Sequence, residues 1–247
     1  PIEFVILVFM LMAGTNFSLY FQLRADKKAL FKDSEWRLYI GILLVAIAVV
    51  TADVWLSGIS GFIQALRDAS FSVVSIMTTT GYGTADFDQW PAFSHAVLLT
   101  LMFIGGSAGS TGGGLKVIRL MMLWKIGVER LRRVFSPRSV RTIRIGGETV
   151  SPELQSNVTI FFFLWIFLFV LGTLAMTALG MDFTSGFSAV AATLNNIGPG
   201  FASVGPTANY GELPGAAKLL LSFFMVIGRV EIFAVLVLLV PDFWRKT

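Results

Sequence analysis

Long uncharged runs alternate along this chain with short loops that carry most of its charge. Four runs contain no charged residue and a fifth contains one arginine and one glutamate: residues 4–21, 38–52, 95–115, 158–181 and 219–240. A helix of about 20 apolar residues spans the ~30 Å hydrocarbon core of a bilayer. The pattern therefore predicts five membrane spans, of which the first is expected to run unbroken over residues 4–23.

Two further apolar stretches are too short to cross a bilayer. Residues 62–77 and 183–194 each follow a span and a turn, and each leads into a Gly-x-Gly sequence. Backbone that leaves helical geometry at membrane depth persists only where protein or a water-filled cavity surrounds it. The pattern therefore predicts two half-length, re-entrant helices, each followed by an extended segment that lines a pore.

Composition supports a membrane protein and excludes most enzyme chemistry. The chain is 55% hydrophobic and only 14% charged, whereas soluble domains carry about 25% charged residues. Lysine and arginine concentrate in residues 24–37, 116–144 and 245–246, which the positive-inside rule places in the cytoplasm. This topology accounts for the excess of basic residues, so nucleic-acid binding is not needed to explain it. With no cysteine, one histidine and no paired carboxylates, the sequence predicts no enzyme.

The first Gly-x-Gly segment has the composition of a cation filter. It consists of Thr78, Thr79, Thr80, Gly81, Tyr82 and Gly83. Potassium channels replace the hydration shell of the ion with rings of backbone carbonyl oxygens in loops of similar sequence. Glycine allows the φ values that aim successive carbonyls at one axis. We predict that these residues bind K⁺; the alternative is a turn that caps an interfacial helix.

The second Gly-x-Gly segment lies 117 positions further on and marks an internal repeat. It consists of Asn195, Asn196, Ile197, Gly198, Pro199 and Gly200. Each copy reads span, turn, half-length helix, Gly-x-Gly, outer loop and span, and such self-similarity is a strong fold signal. Related tetrapeptides occur at residues 11–14, 102–105 and 225–228 of the returning runs. The first run is therefore interpreted as the returning half of an incomplete unit.

The predicted fold class is an all-α integral membrane protein, built from repeated span–re-entrant pore helix–span units around a pore, as in K⁺ channels. The repeat divides the chain into a returning span, a pore unit with a broken second span, a cytoplasmic linker, and a pore unit with a short cytoplasmic tail: residues 1–23, 38–133, 134–152 and 153–247. A carbonyl ring needs about four contributors, and this chain supplies two. An N-terminal half of the same pore, absent here, is expected to complete it.

Ten residues inside the third run are predicted to interrupt the span and to form a loop that faces a cavity. They are Gly105, Gly106, Ser107, Ala108, Gly109, Ser110, Thr111, Gly112, Gly113 and Gly114. Each glycine costs a helix ~1 kcal/mol relative to alanine, so a small mobile plug is expected at mid-membrane. Close helix packing through small residues is the alternative.

Arg229 lies near the middle of the fifth run, where a charge costs at least ~2.5–3.5 kcal/mol. We predict that a cation below a cation filter acts as an electrostatic barrier; the alternative is a structural role, for which Glu231 is the nearest candidate partner. Among outer-loop residues, Asp86 and Asp88 either concentrate cations at the outer entrance of the pore or are ordinary solvated acids. His95 is expected to have no chemical role.

Four motifs taken together resemble the Trk/Ktr potassium-uptake superfamily. They are TTTGYGT, GGSAGSTGGGLK, NNIGPG and GRVE, in that order along the chain. The resemblance implies four non-identical pore units, filter segments and a gating loop at the positions above, and a pore-facing Arg229. It further implies a homodimer in the bacterial inner membrane, docked on a TrkA-like cytosolic ring that binds NADH or ATP. K⁺ is then the transported ion, with no covalently bound cofactor.

The sequence thus predicts a subunit that conducts K⁺ inward through a carbonyl filter and a glycine-loop gate. Pro199 and the asparagines depart from a threonine-rich filter, so weaker discrimination between K⁺ and Na⁺ than in a fourfold channel is expected. Two alternatives remain: a Na⁺-selective or Na⁺/H⁺-coupled symporter of the same fold, and a non-conducting membrane anchor for a cytosolic regulator.

Overall fold

The computed structural model describes residues 2–136, 142–230, 232–238 and 244, and within them it is mainly helical. In chain order the elements are α1 (Ile2–Ala13), α2 (Phe17–Gln22), α3 (Ala29–Lys32), α4 (Ser34–Leu56), α5 (Phe62–Met77), α6 (Ala92–Met102), α7 (Val117–Phe135), β1 (Arg144–Ile145), β2 (Glu148–Thr149), α8 (Pro152–Ala178), α9 (Phe183–Leu194), α10 (Gly215–Arg229) and α11 (Ile232–Leu238), with 3₁₀ turns at Phe87–Gln89, Ala202–Val204 and Tyr210–Glu212.

Helices α4 and α8 are long and apolar enough to cross a membrane. They contain 23 and 27 residues, and only 33% of the most apolar window of each is buried inside the chain. Large apolar side chains such as Leu44 and Phe163 are 62% and 71% exposed. A helix that is apolar on all sides needs lipid or further apolar protein around it, so these two helices indicate a membrane protein.

The half-length helices α5 and α9 have the predicted bounds and lie at the centre of the core. Every residue from Phe71 to Met77 is buried, and so is every residue from Ser185 to Leu194 except Phe187. Many of these residues are alanine or serine, which let neighbouring helices approach closely. The segments that follow α5 and α9 therefore start from rigid, well-packed supports.

The prediction of an unbroken first span is wrong. Helix α1 ends at Ala13, and the Asn16 side chain accepts a hydrogen bond from the Ser18 N–H (2.9 Å) and starts α2. The carbonyl oxygen of Gly14 leaves the helix and accepts a hydrogen bond from Ser107 N–H at 2.9 Å. The interruption is stabilised by this distant partner, which a hydropathy pattern does not reveal.

The other two returning runs are also interrupted. The third breaks between α6 and α7, as the glycines predict. The fifth, predicted as one span, is divided, since α10 ends at Arg229 and α11 begins at Ile232. Glu231, the suggested partner of Arg229, lies outside the described residues. Of the five runs, those of α4 and α8 are the continuous membrane-length helices in the described part of the chain.

The all-α expectation misses a small antiparallel hairpin in the linker. Strand β1 pairs with β2 through Arg144 opposite Thr149 and Ile145 opposite Glu148. Gly146 and Gly147 form the turn with φ values of +59° and +94°. Two consecutive positive φ values are what a tight two-residue hairpin turn requires, and Gly-Gly is a preferred sequence for it.

Candidate functional site

The first Gly-x-Gly segment (residues 78–83) leaves α5 through a left-handed turn. Thr79 has a φ of +55° and Gly81 a φ of +77°. Positive φ is unfavourable for a β-branched residue, so surrounding contacts hold Thr79 in place. Thr80 N–H donates to the Ser75 carbonyl at 2.9 Å, and the Ser75 hydroxyl donates to the Tyr82 carbonyl at 2.7 Å. The last turns of α5 therefore fix the segment at both ends.

The second Gly-x-Gly segment (residues 195–200) repeats this backbone geometry 117 positions later. Asn196 and Gly198 have φ values of +57° and +117°, at the positions that correspond to Thr79 and Gly81. Ile197 N–H donates to the Ala192 carbonyl at 2.8 Å, which matches the bond from Thr80 to Ser75. Two different sequences thus adopt the same strained turn after a buried half-length helix.

The two segments lie side by side. A methyl group added at Gly81 would lie 2.1 Å from the Ile197 carbonyl oxygen and 3.2 Å from Pro199 Cδ. Within the described residues, no N–H or O–H group donates to the carbonyl oxygens of Thr80, Gly81 or Ile197. Ile197 is buried, whereas Thr80 and Gly81 are half-buried, so this pair of segments has oxygen atoms that a ligand or further protein can reach.

The glycine loop (residues 105–114) connects α6 to α7 and lies against both segments. Gly113 N–H donates to Thr79 Oγ1 at 2.7 Å. A methyl group at Gly113 would lie 2.3 Å from the Asn195 carbonyl oxygen, and one at Gly112 would lie 3.3 Å from that of Thr78. The glycines are required here because backbone packs directly on backbone.

The glycine loop is also bound to the interruption in the first run. Ser107 N–H donates to the Gly14 carbonyl, and Thr111 N–H donates to the Ala13 carbonyl at 3.2 Å. The Phe17 N–H in turn donates to the Gly109 carbonyl at 3.2 Å. The loop is therefore supported by a segment more than 80 residues away in the sequence.

Arg229 reaches the glycine loop from the end of α10. Its Nη1 donates to the Thr111 carbonyl at 2.8 Å, and Lys116 Nζ donates to the Gly112 carbonyl. A cavity of about 360 Å³ lies beside the loop, lined by these two cations and by Arg119, whose guanidinium carbon lies 4.0 Å from the centre of the Phe161 ring. The structure brings the predicted gate residues together and places three positive side chains around one cavity.

Two carboxylates on α4 that sequence reasoning did not connect to the site hold the two halves of the broken third run. Asp53 Oδ2 accepts hydrogen bonds from Ser94 N–H (3.0 Å) and Ser94 Oγ (2.6 Å) at the start of α6. Glu35 Oε1 accepts hydrogen bonds from Ala108 N–H in the glycine loop (2.7 Å) and from Ile118 N–H at the start of α7 (3.0 Å). The sequence does show an acidic residue beside each end of an apolar run, which could have marked both carboxylates as structural. The hydropathy pattern does not show which residues they bond.

The outer acids serve mainly to join loops. Asp88 lies against the loop that follows the second Gly-x-Gly segment, where a Cβ added at Gly205 would be 2.0 Å from its Oδ2, and burial raises the pKa of the Asp88 carboxyl above its usual value. His95 Nε2 lies 2.7 Å from the Phe87 carbonyl oxygen, and its ring packs against Phe201 at 5.1 Å. Asp86 accepts hydrogen bonds within its own turn. These contacts connect the loops that follow the two Gly-x-Gly segments.

Comparison with known proteins identifies the class to which this architecture belongs, a cation transporter. The profile of the TrkH family, described as a cation transport protein, matches residues 1–246. The Trk system potassium uptake protein TrkH of Salmonella typhimurium is 39% identical over 99% of this chain, and that of Vibrio parahaemolyticus is 41% identical over 99%. A crystal structure of the potassium transporter TrkH from Vibrio parahaemolyticus covers 98% of this chain with a TM-score of 0.90.

The chain belongs to the TrkH family of cation transport proteins. Members of this family are ion transporters and not enzymes. The chain spans about half the length of the curated relatives, 51% of each TrkH protein named above, and 53% of the crystallised transporter.

Proposed function

We propose that this chain forms part of a K⁺ uptake pore in a bacterial inner membrane, with the two Gly-x-Gly segments as filter strands. The observation that carries the proposal is their shared turn geometry, side by side, with carbonyl oxygens at Thr80, Gly81 and Ile197 that accept no hydrogen bond from the described residues. Such oxygens replace the hydration shell of K⁺. The names of the relatives, Trk system potassium uptake proteins, support the same ion.

Two filter strands need further chain to close a pore. We assign residues 38–133 and 153–247 to two pore units, residues 134–152 to the linker between them, and residues 1–23 to the end of a preceding unit. An N-terminal half of the same protein then contributes the remaining strands. The interruption of all three returning runs supports this division, because each begins within or just after the related tetrapeptide of its run, at residues 11–14, 102–105 and 225–228.

Transport in this scheme runs from the outer loops to the basic side. K⁺ loses water at the filter carbonyls of residues 78–83 and 195–200, then meets the glycine loop and the cations around the cavity. The loop acts as the gate because Gly112 and Gly113 lie directly on Thr78, Thr79 and Asn195. Regulation is assigned to a TrkA-like cytosolic ring that binds NADH or ATP and docks on a homodimer, as the family resemblance implies.

Ion substitution tests the proposal. In liposomes, the full-length protein is expected to conduct K⁺ down its gradient, faster than Na⁺ and without a Na⁺ or H⁺ gradient. Fluorescent flux assays with K⁺, Rb⁺ and Na⁺ measure this order. Faster Na⁺ flux, or a requirement for either gradient, would replace the proposal with the symporter alternative, and absence of any flux would favour a non-conducting anchor.

The contact between filter and gate gives a second test. Thr79→Val keeps the shape of the side chain but removes the oxygen that accepts from Gly113 N–H. A neutral hydrogen bond contributes about 0.5–1.5 kcal/mol, so the loop is expected to leave the filter more often and K⁺ flux to rise about threefold to tenfold. Thr79→Ser retains the hydroxyl and is expected to behave like the natural protein. Equal flux in the two variants would show that this bond does not hold the gate.

A further inference from the structure

Glu35 has an environment that its position in the sequence does not explain. It lies in the first turn of α4, on the basic side of the chain, yet it is only 5% exposed. Burying a carboxylate without partners is costly. Its Oε1 accepts hydrogen bonds from the N–H groups of Ala108 and Ile118, at 2.7 and 3.0 Å. One donor lies inside the glycine loop and the other lies just beyond its end, in the first turn of α7.

We propose that Glu35 is the positioning residue of the gate. One of its carboxylate oxygens joins Ala108 to Ile118, a junction that we call the neck of the loop. This bond directs residues 110–113, the tip of the loop, at the filter. This inference rests on the proposed function, in which the loop is the gate. Ala108 belongs to the loop, and Ile118 is the second residue of α7. A bond to both therefore joins the entering and leaving chain at one point.

The chemistry of the neck favours a charged acceptor. The N–H of Ile118 is one of the first four of α7, which have no partner inside the helix, and the positive end of the helix dipole lies there. Hydrogen bonds to ionised groups are roughly twice as strong as neutral ones. A glutamate held by a neighbouring helix thus satisfies α7 and restrains the loop at the same time.

The backbone of the loop divides at this neck. Gly109 and Gly114 have φ values of +69° and +67° and lie on either side of residues 110–113. Outside this pair of glycines, Gly105 N–H donates to the Leu115 carbonyl at 2.8 Å, and Val117 N–H donates to the Gly106 carbonyl at 3.2 Å. The base is therefore a paired structure closed by Glu35, and the two glycines are the hinges of a short tip. Movement of the gate is confined to that tip while Glu35 holds the neck.

Cysteine accessibility tests this role apart from transport. The chain contains no cysteine, so Ser110→Cys reports on the tip once any cysteine elsewhere in the full-length protein has been replaced. With a membrane-permeant thiol reagent in liposomes, Glu35→Gln is expected to raise the labelling rate about fivefold, since a neutral acceptor is weaker than a charged one. Glu35→Ala, which removes the acceptor, is expected to raise it further.

Asp53→Asn is the matched control. Asp53 lies on the same helix and holds the start of α6 in the same way, and within the described residues its carboxylate bonds to Ser94 and to no residue of the glycine loop. It is expected to leave Ser110→Cys labelling unchanged even if it lowers thermal stability. Equal labelling in the Glu35→Gln, Glu35→Ala and natural backgrounds would overturn the proposal, and so would an equal rise in the Asp53→Asn background.

Flux measured on the same samples separates this inference from the function on which it rests. Faster labelling together with faster K⁺ flux supports both the positioning role and the gate. Faster labelling with unchanged flux supports the positioning role but overturns the loop as a gate. Unchanged labelling in the Glu35 variants, with raised flux in Thr79→Val, overturns the role of Glu35 and leaves the gate supported.

Discussion

Replacing Gly81 by serine is expected to remove most of the preference for K⁺ over Na⁺. Any side chain at Gly81 begins with a Cβ, which would lie 2.1 Å from the Ile197 carbonyl oxygen. Backbone must then move in both Gly-x-Gly segments, and the coordinating oxygens move with it. A loss of ~1.4 kcal/mol in preferential K⁺ coordination lowers selectivity tenfold. Flux ratios for K⁺ and Na⁺ in liposomes containing the full-length protein measure the change.

Gly58→Ser is the control for backbone strain. Gly58 has a φ of +75°, almost that of Gly81, but a Cβ there would meet no atom of the described residues within 4 Å. Both variants carry the cost of a side chain at positive φ, and only Gly81→Ser adds the collision with the second segment. Selectivity that persists in Gly81→Ser, or that falls equally in Gly58→Ser, would remove Gly81 from the filter.

Arg229→Gln is expected to increase K⁺ flux about tenfold, because a barrier lower by ~1.4 kcal/mol raises a rate by that factor. The guanidinium donates to the Thr111 carbonyl of the glycine loop and lines the cavity beside it. Glutamine retains hydrogen-bonding capacity but removes the positive charge that repels the ion and the charged bond that holds the tip. Flux at fixed K⁺ gradient, normalised to the protein in each liposome, is the measurement.

Lys218→Gln provides the comparison on the same helix. Lys218 lies near the start of α10 and donates to the Gly211 carbonyl at 2.6 Å, away from the loop. The Lys218→Gln substitution removes the same charge from the same helix without touching the gate. Surface substitutions usually change stability by no more than about 0.5 kcal/mol, so flux is expected to stay near that of the natural protein. Unchanged or lower flux in Arg229→Gln would contradict the barrier, and an equal rise in both variants would point to a general charge effect.

The bounds of the half-length helices could be predicted because local signals mark them. Asp182 accepts a hydrogen bond from Ser185 N–H at 2.9 Å and caps α9, and a Gly-x-Gly sequence ends each copy. The spacing of 117 positions also predicted which residues correspond, and the φ values of Thr79 and Asn196 agree with it. Local chemistry and repetition are both readable in a single sequence.

The interruptions of the first and fifth runs could not be predicted because their partners are distant. The carbonyls of Ala13 and Gly14 leave α1 for the glycine loop, and Arg229 ends α10 with a bond 118 positions away. Glu35 is likewise separated from Ala108 by 73 positions. At the first break, carbonyls that a continuous helix would use accept hydrogen bonds from the glycine loop instead, and a hydropathy pattern carries no record of such distant bonds.

The support that the glycine loop takes from Ala13, Gly14 and Phe17 also constrains how the protein is made. Residues 105–114 are synthesised after the first run. Their backbone N–H groups find their carbonyl partners only if the first run is already inserted in the bilayer. We therefore expect biogenesis to proceed from the N-terminus, with each newly inserted segment shaped by the one before it. A substitution that disturbs the structure of the first run would then also disturb the glycine loop that packs on it.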